Sequence, residues 1–336
     1  MATKGTGPRK AKASVSFSGN SAKVMEKYIK SFEYTDPASG ESDEVKIVLQ
    51  NITYKWIRYM PNRRDRLTAK IAVMNWNKPG KKVFDCGVFC VDDFTHTGPE
   101  LVTEIRCVSV PEGNAFRSTA RNKTWKKVTL SQIASGICGK YGMALSYSGP
   151  TIKYTAIEQS NETDCSFIKK LCDDYALAIK VYKGKLIIYD KAEYEAKPAA
   201  VTIDAYKMQG WTYNETLIGT YTGAEIKYTV GKDNKELTCK VGGGKRILFV
   251  NEKVDSLADA QLKACGKANT ENEKAVTLSV TLMGNPSIAA GITVNIKGLY
   301  KIDGKYFVDK VIHKIDSESA YTMDLELHKV QKRITP

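Results

Sequence analysis

The side chains best suited to acid–base or metal chemistry are three histidines and two pairs of adjacent aspartates. His96, His313 and His328 lie far apart in the sequence and belong to no HExxH or HxH pattern. Asp92-Asp93 and Asp173-Asp174 would point to opposite faces of a strand, or to different sides of a helix. None of these spacings forms a two-carboxylate or metal-binding site. We therefore predict no catalytic residue, no metal ligand and no cofactor.

A glycine-rich stretch, Gly242-Gly243-Gly244 followed by Lys245-Arg246, faintly resembles a phosphate-binding loop. The Walker pattern requires an earlier glycine, and a serine or threonine after the lysine. Cys239 stands where the earlier glycine should be, and Arg246 replaces the hydroxyl residue. We therefore predict a flexible hairpin tip here and no nucleotide site.

The cysteines indicate reduced thiols that pack as small apolar side chains. The chain has eight of them and no CxxC pair. Cys86 and Cys90 are close in sequence, but the only nearby histidine is His96 and the spacing fits no zinc pattern. No run approaches about 18 apolar residues, and no apolar segment follows the basic N-terminus. We expect folding in a cytosol and no membrane partner.

The formal net charge of +14 is informative about what the chain can bind, and it says little about the fold. The basic residues concentrate in two groups, Lys4, Arg9, Lys10 and Lys12, then Arg117, Arg121, Lys123, Lys126 and Lys127. Such groups can form a solvated face or contact an acidic protein or nucleic acid. Trp125 is a lone aromatic in the second group, which is too little for base stacking. We keep these residues as candidate partner-binding residues and do not expect stable nucleic-acid binding.

The elements around these residues follow hydrophobic periodicity. Residues 1–20 are small, polar and basic, so we predict a flexible tail that only a neighbour in an assembly would order. From 24 to 110 short alternating stretches such as Val45, Ile47 and Leu49 predict strands. From about Ala200 the same pattern returns, interrupted by one predicted helix at about 256–269. We expect His328 to be exposed on the polar face of the last strand and His313 to be structural.

The middle of the chain changes to helical periodicity. Thr129 and Gln132 form a capping box before an apolar helical face, and Gly142 suits the left-handed position after it. A second helix is predicted to begin at 161–163, and a hairpin turn at Lys183-Gly184 follows it. In the last third, Asp303-Gly304 predicts a further hairpin turn.

The C-terminal motifs carry a resemblance to a known family. They are Leu282-Met283-Gly284-Asn285-Pro286, Ala290-Gly291, Gly298, Asp303-Gly304-Lys305-Tyr306, Val311-Ile312-His313 and Tyr321-Thr322. We expect Gly284, Gly291, Gly298 and Gly304 at strand ends with positive φ, and Pro286 outside the strand. Together with the middle motifs around Trp125, Tyr141-Gly142 and Gln159–Asp164, this order is similar to the phage late control gene D proteins. These are hub proteins of contractile tails, and the wider set includes the hub part of VgrG spikes. The resemblance covers about residues 45–330.

The resemblance implies a β-rich α+β fold with two tail-tube-like β-barrel domains flanking a small α/β insert. The implied divisions are a tail at 1–20, barrels at 21–115 and 196–331, and the insert at 116–195. The implied function is a non-enzymatic baseplate hub joining a six-fold tail tube to a three-fold spike.

The implied assembly is a homotrimer that contacts the tail tube protein, the central spike protein and other baseplate proteins. A LysM-type hub partner and the tape measure are possible further partners. The chain would be found in the bacterial cytoplasm during assembly and later in the virion or tail-like particle. The alternatives are a non-specific nucleic-acid-binding protein and a tail-associated cell-wall hydrolase.

Overall fold

The computed structural model describes residues 7–17, 23–59, 62, 65–76, 80–109, 115–230, 235–252, 254, 256–316 and 321–336. In these ranges the chain is mainly β-structure with a few helices, so the predicted β-rich class is confirmed. No helix among these residues is long and apolar enough to cross a membrane.

The strands and helices are numbered in chain order. The strands are β1 (Lys10–Phe17), β2 (Ile29–Pro37), β3 (Glu44–Gln50), β4 (Arg66–Met74), β5 (Lys81–Thr97), β6 (Val102–Val108), β7 (Ala120–Thr129), β8 (Ala144–Ser148), β9 (Lys153–Thr163), β10 (Leu177–Tyr182), β11 (Lys185–Asp190), β12 (Val201–Asp204), β13 (Met208–Glu215), β14 (Gly223–Val230), β15 (Lys235–Gly242), β16 (Ile247–Val250), β17 (Val276–Met283), β18 (Thr293–Lys297), β19 (Gly304–Asp316) and β20 (Thr322–Lys329). The α-helices are α1 (Lys23–Glu26), α2 (Lys55–Arg58), α3 (Ala115–Ser118), α4 (Leu130–Lys140), α5 (Asp164–Asp173), α6 (Lys191–Ala196) and α7 (Leu257–Glu273). Two 3-10 turns occupy Ala205–Lys207 and Tyr300–Ile302.

The largest element is a 12-stranded sheet that joins both ends of the chain. Its order is β1-β4-β5-β6-β3-β2-β19-β20-β17-β13, with β18 beside β19 and β12 beside β18. The 13-residue strand β19 makes this possible, because its C-terminal half pairs with β2 and its N-terminal end pairs with β18. The two predicted β regions therefore share one sheet.

Two separate apolar cores lie against this sheet. The first contains side chains from β1 to β6, among them Phe32, Ile47 and Leu67. The second contains side chains from β12, β13 and β17 to β20, among them Val294 and Leu325. Strand alternation explains both cores, since one face of each strand carries the apolar residues and the other carries the charges.

Elements α3 to α6 form the α/β part of the chain. The three-stranded sheet β10-β11-β8 and the two-stranded ribbon β7-β9 pack with α4 and α5 around one core. The predicted capping box is confirmed, because Thr129 Oγ1 accepts from Gln132 N and Gln132 Oε1 accepts from Thr129 N. Gly142 and the Lys183-Gly184 turn have the positive φ angles that their predicted positions require.

The structure also contains a small sheet covered by a helix, which the sequence analysis did not predict. Strands β15, β14 and β16 form a three-stranded sheet, and α7 covers one of its faces. Helix α7 begins after the N-cap Ser256, where it was predicted, and extends beyond the predicted end at Asn269. The Gly242–Gly244 stretch is not a hairpin tip, because β15 and β16 lie on opposite sides of β14 and the glycines lie between them.

Two further sequence predictions are wrong. Residues 10–17 are not a flexible tail but the strand β1, whose Ala13 and Val15 side chains are buried against β4. The small apolar residues alternate with Lys10 and Lys12, which is sufficient for a strand that neighbouring strands complete. Asp303-Gly304 does not join two strands, because Tyr300–Ile302 is a 3-10 turn and the hairpin partner of β19 is β18.

Candidate functional site

The predicted turn motif lies on the segments that follow β17 and β18. Gly291, Gly298 and Gly304 have positive φ, as predicted. The Asp303 carboxylate accepts hydrogen bonds from the backbone N–H groups of Gly298 and Leu299, at 3.1 and 2.6 Å. This side chain therefore holds the turn between β18 and β19 and satisfies two backbone donors there.

A close side-chain contact, and not a positive φ, requires glycine at position 284, which corrects the prediction of a positive φ. A Cβ atom at this position would lie 2.4 Å from the ring of Tyr321. The Gly284 N–H donates to the Tyr321 carbonyl at 2.8 Å, and its own carbonyl accepts from the Trp76 indole. Asn285 continues the turn, since its side chain accepts from Ser287 N at 3.1 Å and its carbonyl accepts from Ile288 N. Pro286 lies outside the strand, as predicted.

Replacing Gly284 with alanine is expected to lower the free energy of unfolding by about 1–3 kcal/mol, because the buried ring of Tyr321 must shift. The ring has little freedom, since its hydroxyl bonds His313 Nδ1 at 2.8 Å. Chemical denaturation measures the change. Gly139→Ala is the matched control, because the open space around Gly139 on α4 allows alanine to stabilise the helix. An equal response of the two variants would contradict the close-contact explanation.

The first basic group lies at the N-terminal edge of the sheet. Lys12 forms an ion pair with Glu26 at 2.6 Å, and Arg9 contacts the sulfur of Met283. Lys10 is exposed on β1. Lys4 lies outside the described residues. Arg9, Lys10 and Lys12 therefore lie at the edge of the main sheet.

The second basic group lies on and beside the β7-β9 ribbon. Arg121 pairs with Asp164 at 3.2 Å, a carboxylate that Lys140 also contacts, so Arg121 stabilises the insert. The Lys123 ammonium lies 3.4 Å from the centre of the Trp125 ring. The exposed residues of the group are Arg117, Lys123, Lys126 and Lys127. The structure thus places the described residues of the two groups on different units, and their role in partner binding stays a prediction.

A buried ionic joint, which the sequence analysis missed, fastens the insert to the main sheet. Lys180 on β10 contacts Asp36 at the end of β2, Asp43 at 2.9 Å and the Pro37 carbonyl at 3.1 Å. Tyr34 donates to the second Asp43 oxygen at 2.9 Å. Burial raises the pKa of Asp43 to about 6, although Lys180 opposes the rise. A usable signal existed, because Lys180 is the one charged residue in the apolar strand β10.

Backbone contacts reinforce this joint. Gly40 N donates to the Ile179 carbonyl at 2.9 Å, and Ile179 N donates to Ser39 Oγ at 3.0 Å. Ala290, after β17, donates its N–H to Asp36 at 2.9 Å. The joint therefore connects the β2–β3 turn, the insert and the turn motif.

His313 is structural, as predicted. It is fully buried and stacks on Tyr34 with ring centres 5.9 Å apart. Burial lowers its pKa to about 4, so the ring is neutral at physiological pH. Its Nδ1 atom bonds the Tyr321 hydroxyl. This histidine links the first core to the turn that contains Gly284.

The prediction that His328 is exposed is wrong. It is only 3% exposed, since a bulge in β19 near Asp309 breaks the simple alternation and Glu195 of α6 covers the ring. Its Nδ1 lies 2.8 Å from Asp309 and its Nε2 lies 3.2 Å from Glu195. Burial alone would lower the pKa of His328, but these two carboxylates raise it to about 9.

Arg333, beyond β20, completes a second buried joint. Its guanidinium contacts both oxygens of Glu195 and approaches Glu273 of α7 at 2.7 Å. Burial would raise the pKa of Glu195, but His328 and Arg333 lower it to about 2. Glu195, Glu273 and His328 could offer ligand atoms to a metal ion. Arg333 already contacts both carboxylates and Lys191 lies 2.7 Å from Glu273, so the geometry fits an internal salt-bridge network.

The cysteines are free thiols, as predicted. Six are buried, and Cys90 and Cys165 are half-buried. Burial raises the pKa of Cys138 and Cys265 to about 11, which keeps both protonated. They are therefore packing residues.

Two comparisons with curated proteins point to phage tails. The probable baseplate hub protein of Escherichia phage 186 is 26% identical over 217 residues, which are 63% of this chain and 54% of that protein. The probable baseplate hub protein of Escherichia phage P2 is 27% identical over 214 residues, covering 61% and 52%. The chain thus spans about half the length of the curated relatives that it matches.

Solved structures show the same fold over nearly the whole chain. The 43 kDa tail protein of prophage MuSo2 from Shewanella oneidensis superimposes with a TM-score of 0.72 at 13% identity, covering 95% of this chain and 98% of that one. The c3393 protein, a type VI secretion component of E. coli, gives a TM-score of 0.62 at 9% identity, covering 96% and 78%.

The amino-acid sequence also matches a known protein family. A family model described as YQBQ-like matches residues 119–328, which is more than half of the chain. Its match includes the α/β part from β7 onwards, the β14–β16 layer and almost all of the C-terminal strands. The resemblance to phage hub proteins is confirmed, and the chain belongs to the YQBQ-like family.

Proposed function

We propose that the chain is the structural, non-enzymatic baseplate hub of a phage-like contractile tail, joining a six-fold tail tube to a three-fold central spike. The observation that carries the proposal is the pair of apolar cores on one sheet with β19 shared between them. An adaptor between six-fold and three-fold neighbours needs two similar units in each of three subunits. The relatives named as hub proteins supply the functional class.

The chain connection between β12 and β13 supports a barrel for the second unit. These two strands lie at opposite ends of the strand series β12-β18-β19-β20-β17-β13. Only the 3-10 turn Ala205–Lys207 separates them in the chain. Since three residues span at most about 10 Å, the two ends of the series must curl towards each other.

Contacts at β1 support a barrel for the first unit. Strand β1, at one end of the series that runs through β2 to β19, lies close to β19. Trp76, just after β4, reaches Gly284 and packs against Tyr321 with ring centres 5.4 Å apart and the rings tilted by 43°. The first core likewise includes Ile315 of β19. The strand series from β1 to β19 therefore curls until its first strand approaches its last.

The proposed assembly is a homotrimer. Its two barrel units, within residues 21–115 and 196–331, would occupy six similar positions around one ring, and the insert at 116–195 would lie outside the ring. The proposed partners are the tail tube protein, the central spike protein and other baseplate proteins. The LysM-type hub partner and the tape measure remain candidates. The proposed location is the tail particle, after assembly in the bacterial cytoplasm.

The test is the copy number and symmetry of this chain in an assembled tail, determined by cryo-electron microscopy. We expect three copies at the junction of tube and spike, with the two barrel units superimposing despite little sequence in common. The tail tube protein in the same particle provides the internal six-fold reference. Six copies of this chain, or unrelated topologies of the two units, would overturn the proposal.

A further inference from the structure

Two short turns lie side by side at one end of the second core. Strands β12 and β18 are parallel neighbours, and Asp204 at the end of β12 pairs in register with Lys297 at the end of β18. Each strand is followed within three residues by a 3-10 turn. The first turn packs against the segment that leads into the second, since a Cβ on Gly298 would lie 3.2 Å from the Cβ of Ala205.

Each turn presents a tyrosine to solvent. Tyr206 is 81% exposed and Tyr300 is 92% exposed. Tyr300 also has a φ of 55°, a conformation that glycine adopts far more easily than tyrosine. The exposed ring recovers none of this strain by packing within the chain. The Tyr300 ring is therefore free to contact another molecule.

The charges around the two tyrosines are mainly positive. The platform, defined here as the two tyrosines with their lysine neighbours, comprises Tyr206, Lys207, Lys297, Tyr300, Lys301 and Lys329. Its nearby aspartates are already engaged, because Asp204 pairs with Lys207 at 2.7 Å and Asp303 accepts from the turn backbone. Among the described residues, Lys297 and Lys301 form no ion pair.

We propose that this platform is a docking surface for an acidic protein surface. Exposed tyrosines contribute large contact area at protein interfaces, and the unpaired lysines complement carboxylates. The platform as defined contains no arginine, which is the residue best suited to bidentate phosphate contacts. These features favour protein over nucleic acid.

The inference goes beyond the hub role, because it concerns the chemistry of one contact and stands without the trimer. The test uses the purified full chain and a fluorescent soluble peptide of repeating Gly-Leu-Asp. We expect Tyr300→Gly and Tyr206→Ala each to weaken binding about tenfold. Tyr300→Gly should at the same time raise the thermal midpoint, because glycine relieves the strained φ. Lys297→Gln with Lys301→Gln should reduce the salt dependence of binding.

Tyr54→Gly is the matched control. Tyr54 has a φ of 54° and is 58% exposed, but it precedes α2, outside the platform. It should raise the thermal midpoint similarly and leave peptide binding unchanged. Equal weakening by Tyr54→Gly would overturn the proposal. So would tighter, Tyr300-dependent binding of a single-stranded DNA of equal charge, or self-association in sedimentation that Tyr300→Gly abolishes.

Discussion

The Lys180→Met variant is expected to lose about 3–5 kcal/mol of unfolding free energy near neutral pH, because two buried carboxylates would lose their cation. Asp43 is fully buried and Asp36 is 4% exposed, so water cannot replace the ammonium group. Methionine keeps the length and apolar stem of the side chain, so the change isolates the charge. Equilibrium denaturation in urea measures the loss.

The loss should depend on pH. The pKa of Asp43 is raised to about 6, so this carboxyl favours the folded state when protonated and opposes it as pH rises through 6. Without Lys180 the pKa of Asp43 rises further, so the carboxyl stays protonated to higher pH and its ionisation by pH 8 costs more stability than in the wild type. The difference between wild type and variant should therefore be smaller at pH 5 than at pH 8.

Lys185→Met provides the matched control for this variant. Lys185 lies on the neighbouring strand β11 and is exposed, so its removal should change stability by less than about 0.5 kcal/mol. Adding Asp43→Asn to Lys180→Met should recover part of the loss, because one uncompensated charge disappears. A loss independent of pH, or matched by Lys185→Met, would show that the joint is not electrostatic.

Local signals in the sequence predicted the elements that depend on neighbouring residues. The capping box of Thr129 and Gln132 and the left-handed Gly142 were correct because a helix end is satisfied within about one turn of chain. The N-cap Ser256 was correct for the same reason. Its helix continued past the predicted end because residues beyond Asn269 contact other parts of the chain, for example Asn272 with the Tyr221 backbone.

Long-range pairing explains the errors. The exposure of His328 was predicted from alternation along β20 alone, but Glu195, 133 residues away, covers the ring. The Lys180 joint unites residues 144 positions apart, and no spacing rule connects them. Residues 10–17 lack the apolar content of an independent strand, so their order depends on β4. Gly284 required knowledge of the Tyr321 ring, which contacts it only after β17 and β20 pair.

The second large effect is expected at the buried joint in which Arg333 contacts Glu195 and Glu273. Replacing Arg333 with methionine is expected to lower the unfolding free energy by about 1.5–3 kcal/mol at neutral pH, since Glu195 would keep only His328 as a cationic partner and Glu273 only Lys191. The joint connects α6, α7, β20 and the C-terminal segment. Asn269 also holds this segment through both the N–H and the carbonyl of Ile334, so the variant should loosen a wider area.

The pH dependence of the unfolding free energy tests this prediction most directly. Glu195 has a lowered pKa of about 2, so its contribution to stability is complete above its ordinary pKa and disappears as pH falls through 2. His328 has a raised pKa of about 9, so its contribution is complete below about 6.5 and disappears as pH rises through 9. Wild-type stability from this joint should therefore be greatest between about pH 4.5 and 6.5.

In Arg333→Met the pKa of Glu195 should rise, and the acidic side of this profile should move to higher pH. The gap between wild type and variant should then narrow below about pH 4, where the variant can protonate its carboxylates. Lys332→Met, at the exposed neighbouring position, removes the same charge outside the joint and should leave the profile unchanged. Parallel pH profiles for wild type and Arg333→Met would mean that the guanidinium acts by packing alone, because only an electrostatic joint couples the loss to the protonation of Glu195.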